Sequence, residues 1–257
     1  MDARHPWVSL GLRRYSWVLI FLEVIMLKAF FKLNGFELIL WLSSLAGIVI
    51  CFLMTGEFDP FVLVASLIGA TALIFVAKGE PLGQLLTVVF ALLYSYISLR
   101  FRYYGEMLTY LGMSSPMAIA ALVAWLKNPY EEGRSEVKIN HVSPRNAVIL
   151  WALAIAATAV FGYLLYLLET PNLFFSIISI TTSFLASGYT VLRSPYYALA
   201  YAANDVVLIV LWILASMTDI SLAPMVMSFV IFLINDSYGY FNWRRIRKRQ
   251  EQAPDLR

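Results

Sequence analysis

Eight long apolar runs, separated by short breaks of charge, glycine and proline, leave this 257-residue chain few ways to fold. They lie at 36–55, 59–77, 82–99, 105–126, 146–168, 171–192, 196–217 and 222–243. Each has about the 20 apolar residues that a helix needs to cross a bilayer. The runs are continuous rather than alternating, so helices are expected and not the strands of an outer-membrane barrel. Composition agrees: 61% of residues are hydrophobic and 14% charged, too little charge to cover a soluble surface. The expected class is an all-α polytopic membrane protein.

Basic residues orient the layout. Segment 15–33 is apolar but interrupted by Glu23, Lys28 and Lys32, and is read as an interfacial helix rather than a span. Eight spans then put both termini on one side. That side collects 17 of the 19 lysines and arginines, and the other holds Arg100 and Arg102. Basic residues favour the cytoplasmic side, so both termini are expected there. The polar stretch Asp2 to Arg14, with no small-residue cleavage pattern after the first apolar run, does not read as a cleavable signal.

The longest break, Asn128 to Arg145, divides the spans into two groups. Trp125-Leu126-Lys127 closes the fourth span and Trp243-Arg244-Arg245 the eighth. The second helix of each group starts alike, after Lys78-Gly79-Glu80-Pro81 and after Arg193-Ser194-Pro195. Two three-helix groups joined directly would point in opposite directions, and one extra helix between them restores a common direction. The expected organisation is therefore an N-terminal segment 1–35, an extra transmembrane helix 36–55, a first three-helix repeat 59–126, a linker helix 146–168, a second repeat 171–243 and a basic tail 244–257. Parallel repeats of this kind place the substrate between them, near the midplane.

Polar groups inside spans are costly and point to function. Asn204-Asp205 lies about nine residues into its helix and Asn235-Asp236 about eight from the end of its own. Both are thus roughly 12–13 Å deep, at one level. Tyr197, Tyr201, Asn204 and Leu208 share a helical face, as do Asn235, Tyr238, Gly239 and Asn242. Gln84, Thr87, Ala91 and Tyr94 form a third stripe. Aromatic rings suit a flat heterocycle or a cation. Amides suit a carboxamide or ribose hydroxyls, and Asp205 and Asp236 could balance a cationic ring. Glu106, at the outer end of its span, reads as an interface residue. The Met and Phe side chains of the spans read as packing or lipid-facing.

Several classes are set aside. Cys51 is the lone cysteine and the two histidines, His5 and His141, lie in polar segments, so no metal site is expected. No span carries a histidine or a nucleophile–base pair, so no enzyme and no cofactor are expected. There is no phosphate-binding glycine loop of an ATP-driven pump. The basic tail reads as an anchor to anionic lipid, not a nucleic-acid surface.

The stretches Val76–Leu85, Leu92–Ser98, Tyr104–Leu108 and Met117–Lys127, followed by Ala200–Trp212 and Asn235–Trp243, resemble the PnuC transporters of nicotinamide riboside and related vitamin precursors. The resemblance covers about 59–246. It implies a 3+1+3 parallel-repeat helix bundle like the SWEET sugar transporters, here with one extra N-terminal transmembrane helix. It also implies a homotrimer in a bacterial inner membrane. The activity implied is facilitated diffusion of an unphosphorylated nucleoside that a cytosolic kinase then traps. Relatives carry thiamine, riboflavin or deoxynucleosides, and an intramembrane Asp leaves a proton-coupled carrier as the alternative. Carried over by position, Asn204, Asn235, Tyr238 and Gln84 lead the binding residues, followed by Tyr201, Trp212 and Tyr94. The chain departs from the family pattern at Phe90, where an Asn is frequent, and at Tyr197 and Tyr201, which replace a Trp-rich helix start.

Overall fold

A computed structural model describes residues 33–55, 59–131 and 135–252. Segment 15–33, read above as interfacial, lies outside them but for its last residue, as does the end of the tail. Eight long helices follow in order. They are α1 (Gly35–Thr55), α2 (Pro60–Ala77), α3 (Pro81–Arg100), α4 (Tyr104–Leu126), α5 (Pro144–Leu167), α6 (Leu173–Val191), α7 (Tyr196–Ser216) and α8 (Ala223–Gln252). Residues up to Leu38 belong to a separate unit of the chain, and the bundle proper is Ile39–Arg257.

Helix starts are written locally. At α1, Asn34 and Glu37 exchange side-chain bonds with each other's backbone N–H groups at 2.9 and 2.8 Å, a capping box. Asp59 caps α2 ahead of Pro60, and Ser143 caps α5 ahead of Pro144. The ends are equally local. Gly79, Arg102, Glu169 and Arg193 take positive φ of 70°, 59°, 51° and 57°. After each, an N–H returns to the carbonyl five residues back, as in Ser194 to Tyr189 at 2.9 Å and Glu80 to Phe75 at 3.0 Å. These closed ends make the connections short and neighbouring helices antiparallel.

Seven of these helices, α1 to α7, are long and apolar enough to cross a membrane. Their 18 to 24 residues reach roughly 27–36 Å, against a hydrocarbon core of ~30 Å. The eighth, α8, is longer still at 30 residues. It falls short in apolar character because Asn235-Asp236, three tyrosines or tryptophans and the basic tail lie along it. It nevertheless packs against α7 and α2. Exposed Ile149, Leu153, Ile155 and Val160 on α5, and Ile39, Ile50, Leu53 and Met54 on α1, are the outward face expected in lipid.

Packing runs α2 on α3, α3 on α4, α6 on α7 and α7 on α8, with α4 against α6 and α8 against α2. The last two contacts are fastened by matching bonds. The Trp125 indole N–H, near the end of α4, donates to the Thr190 carbonyl of α6 at 2.9 Å. The Trp243 indole N–H of α8 donates to the Val76 carbonyl of α2 at 2.8 Å. Thr190 lies three residues before Arg193, and Val76 three before Gly79. The connection between α4 and α5 ties both turns, with the Val137 N–H on the Gly79 carbonyl at 2.9 Å and the Asn140 N–H on the Arg193 carbonyl at 3.0 Å. Past Trp243, α8 continues over this connection: Gln250 accepts from the Ile139 N–H at 2.9 Å, and Arg249 pairs with Glu136.

Trp125→Phe and Trp243→Phe each keep an aromatic ring and remove one indole bond, leaving the Thr190 carbonyl its Arg193 N–H and the Val76 carbonyl its Gly79 N–H. Each is expected to lose roughly 0.5–1.5 kcal/mol, read as a lower unfolding midpoint in detergent. The two losses should be of similar size, and a large loss at one with none at the other would count against their equivalence.

Candidate functional site

A cavity of about 80 Å³ lies between α2, α3, α4, α6, α7 and α8, room for several waters. Gly69, Leu73 and Val76 of α2 and Gln84, Thr87 and Phe90 of α3 form one wall. Ser183 and Ser187 of α6 with Tyr201, Asn204 and Asp205 of α7 form the opposite one. Tyr110 and Ser114 of α4 and Phe229, Phe232 and Asp236 of α8 close the sides.

The Asn204 amide is held firmly. Its oxygen accepts from the hydroxyls of Ser179 at 3.2 Å, Thr182 at 2.8 Å and Ser183 at 3.1 Å. With the oxygen saturated, the NH₂ is what Asn204 presents to the cavity it lines. The Tyr201 hydroxyl is fixed beside Ser187 at 3.1 Å. Gln84, 2% exposed, lines the cavity from α3.

The Asp205 and Asp236 carboxyls lie side by side in the cavity. Both are buried, and Asp205 Oδ2 has no hydrogen-bond partner. Two carboxylates in contact repel, and a cation between them relieves the repulsion. The expected common depth of the Asn-Asp pairs is thus met through the aspartates.

Five predicted residues meet here: Gln84, Tyr201, Asn204, Asp205 and Asp236. The other five lie elsewhere. Asn235 turns away, donating to the Ser44 hydroxyl of α1 at 3.0 Å and to the Ile231 carbonyl at 2.9 Å. A one-residue step along a helix rotates a side chain by about 100°, so Asn235 and Asp236 cannot share a face. Tyr238 is half-buried and off the cavity. Tyr197 packs on Trp243 at 4.7 Å between ring centres, below the cavity at the Gly79 end of the bundle. Tyr94 and Trp212 sit towards the opposite end, where Tyr94 stacks on Tyr110 at 4.2 Å and meets Trp212 edge-on at 6.2 Å. The cavity thus has an aromatic layer at either end.

Sequence reading left out Tyr110, Ser114, Ser183 and Ser187. Ser176, Ser179, Ser183 and Ser187 recur at near-helical spacing along α6 and are all buried, a stripe that could have been found. Tyr110 and Ser114 depend on a π turn, Tyr110–Ser114, inside α4, and no pattern in the sequence marks it. Phe90, Phe229 and Phe232, read as packing, also line the cavity. Among the described residues no group of three or more His, Cys, Asp or Glu could hold a metal.

The family model described as nicotinamide mononucleotide transporter matches residues 59–245, well over half of the chain. The chain belongs to this family, the PnuC transporters. A nicotinamide riboside transporter, PnuC of Neisseria mucosa, is 25% identical over 213 residues, covering 81% of each chain. The crystal structure of the vitamin B3 transporter PnuC shares the fold, with a TM-score of 0.73 and 24% identity over 85% of this chain and 94% of that one. Membership in PnuC makes the chain a multi-pass membrane transporter and not an enzyme.

Asn235→Ala is expected to cost roughly 1–3 kcal/mol of stability by removing the bond to Ser44 and exposing that loss in the core. In a double-mutant cycle with Ser44→Ala the two losses should fall short of additive. Full additivity would show that the bond contributes nothing.

Proposed function

We propose that this PnuC-family protein takes up nicotinamide riboside by facilitated diffusion, with later phosphorylation in the cell trapping the substrate. The observation that carries the reading is the charge of the cavity. Its lining holds two carboxyls, and none of the lining residues is Lys, Arg or His. A pyridinium nucleoside brings the single positive charge that Asp205 and Asp236 lack. A mononucleotide would set a phosphate beside them, and like-charge contact in a desolvated site costs several kcal/mol.

The walls divide the work. Counted from the matched turn residues Gly79 and Arg193, Gly69 stands where Ser183 does, Leu73 where Ser187 does, and Phe90 where Asn204 does. One wall offers apolar and aromatic surface to the flat ring. The other offers Ser, Tyr and Asn to hydroxyls or a carboxamide. These correspondences and the paired Trp125 and Trp243 bonds support a 3+1+3 arrangement of two parallel repeats about the cavity. The basic residues support cytoplasmic termini, and the family resemblance supports a homotrimer in a bacterial inner membrane. Thiamine is also cationic and is the first rival substrate. A proton-coupled carrier is the second reading, favoured by the adjacency of the two aspartates; a proton gradient that drives uptake would establish it.

Calorimetry on purified protein is expected to show binding of nicotinamide riboside, weaker binding of the mononucleotide by about a hundredfold or more, and loss of binding in Asn204→Ala but not in Asn235→Ala. Equal affinity for nucleoside and nucleotide would sink the charge argument.

A further inference from the structure

Glu106 stands in the opening segment of α4, Tyr104–Thr109, where the sequence reading placed an interface carboxylate. In the structure it is instead 3% exposed, and its Oε2 has no hydrogen-bond partner. Beside it, Gly105 packs α4 closely on the α5–α6 connection: a Cβ there would lie 2.8 Å from Thr170 Oγ1. A carboxylate so placed is costly without a positive charge beside it.

Its surroundings lead to the cavity. Tyr110 is one turn further along the same face of α4 and lines the cavity. Glu106 is an electrostatic neighbour of both Tyr94 and Tyr110, and Tyr110 is in turn a neighbour of Asp205. The Ser98 and Ser176 hydroxyls are likewise buried without partners, and the Tyr94 hydroxyl has beside it only the Trp212 indole N–H. Ser98 is one turn beyond Tyr94 on α3, and Ser176 about one turn beyond Ser179 on α6. Unsatisfied polar groups therefore continue the walls of the cavity towards the end of the bundle that holds Arg102 and Glu169. Buried polar groups are normally paired, and in this band Glu106 Oε2 and the Ser98 and Ser176 hydroxyls are not. Aromatic faces around a buried carboxylate are the chemistry that holds an organic cation.

We propose that Glu106, with Tyr94, Tyr110 and Trp212, forms a second station for an organic cation between that end of the bundle and the Asp205–Asp236 cavity. The proposal rests on the reading of the cavity as a pyridinium-nucleoside site. At this station the ring loses water to the aromatic faces while its charge faces Glu106, and passage of Tyr110 brings it to Asp205.

The test compares uptake of nicotinamide riboside with uptake of its uncharged dihydro form, by wild type and Glu106→Gln in proteoliposomes. Half-saturation for the cation should rise about tenfold or more in the variant, while that for the neutral form moves less than about twofold. Glu106→Asp should restore most of the loss. An equal change, or none, for the two compounds overturns the station and leaves the cavity reading standing, because wild-type binding and its loss in Asn204→Ala report on the cavity. Wild type that binds and carries neither compound overturns both. If Glu106→Gln elutes as aggregate, Glu106→Met takes its place in the same comparison.

Discussion

Two carboxyl groups held together in the middle of an apolar bundle govern this structure. Asp205 and Asp236 come from different helices, α7 and α8, and neither could be buried beside lipid. Their meeting fixes the rotation of both helices, turns Asn204 towards the serines of α6, and turns Asn235 away to α1. Six helices are needed to surround the cavity, and the connections between them are short, closed turns that hold the helices in order.

The aromatic layers above and below follow from the same constraint. A polar cavity in the middle of a membrane has to be shut from water at one end at a time if it is to carry a solute without leaking. At the Gly79 end the closure is Tyr197, Trp243 and Trp125. At the other it is Tyr94, Tyr110, Phe229 and Trp212. Rings are suited to this because they fill space by tilting, and because their faces attract the same cation that the carboxyls do.

Much of this was legible in the sequence. The limits of the helices followed closely from the apolar runs and the breaks holding Pro81, Pro171 and Pro195, while seven of the eight expected spans are long and apolar enough to cross a membrane. The depth argument for Asn204-Asp205 and Asn235-Asp236 placed both pairs at one level. What it could not resolve was rotation, since adjacent residues point about 100° apart and either member of a pair could face the cavity. The α6 serines were legible as a stripe but lack the chemical prominence of an amide or a carboxylate. Tyr110, Ser114 and Glu106 were out of reach for a different reason. A π turn shifts the face that follows it, and a carboxylate at a span end looks exposed in sequence although Glu106 is buried by the fold.

The crossed tryptophan bonds set the timetable of assembly. Val76 ends a helix made early in synthesis, and its carbonyl, which already accepts from the Gly79 N–H at 2.9 Å, takes a second bond from Trp243 on the last helix to be made. The Thr190 carbonyl takes its second bond from Trp125, a residue already made. The tie between α2 and α8 therefore forms only when the last helix arrives. A chain cut short before Trp243 would lack the bond that ties α8 to α2, so a contact between elements far apart in the sequence forms only when synthesis is nearly done.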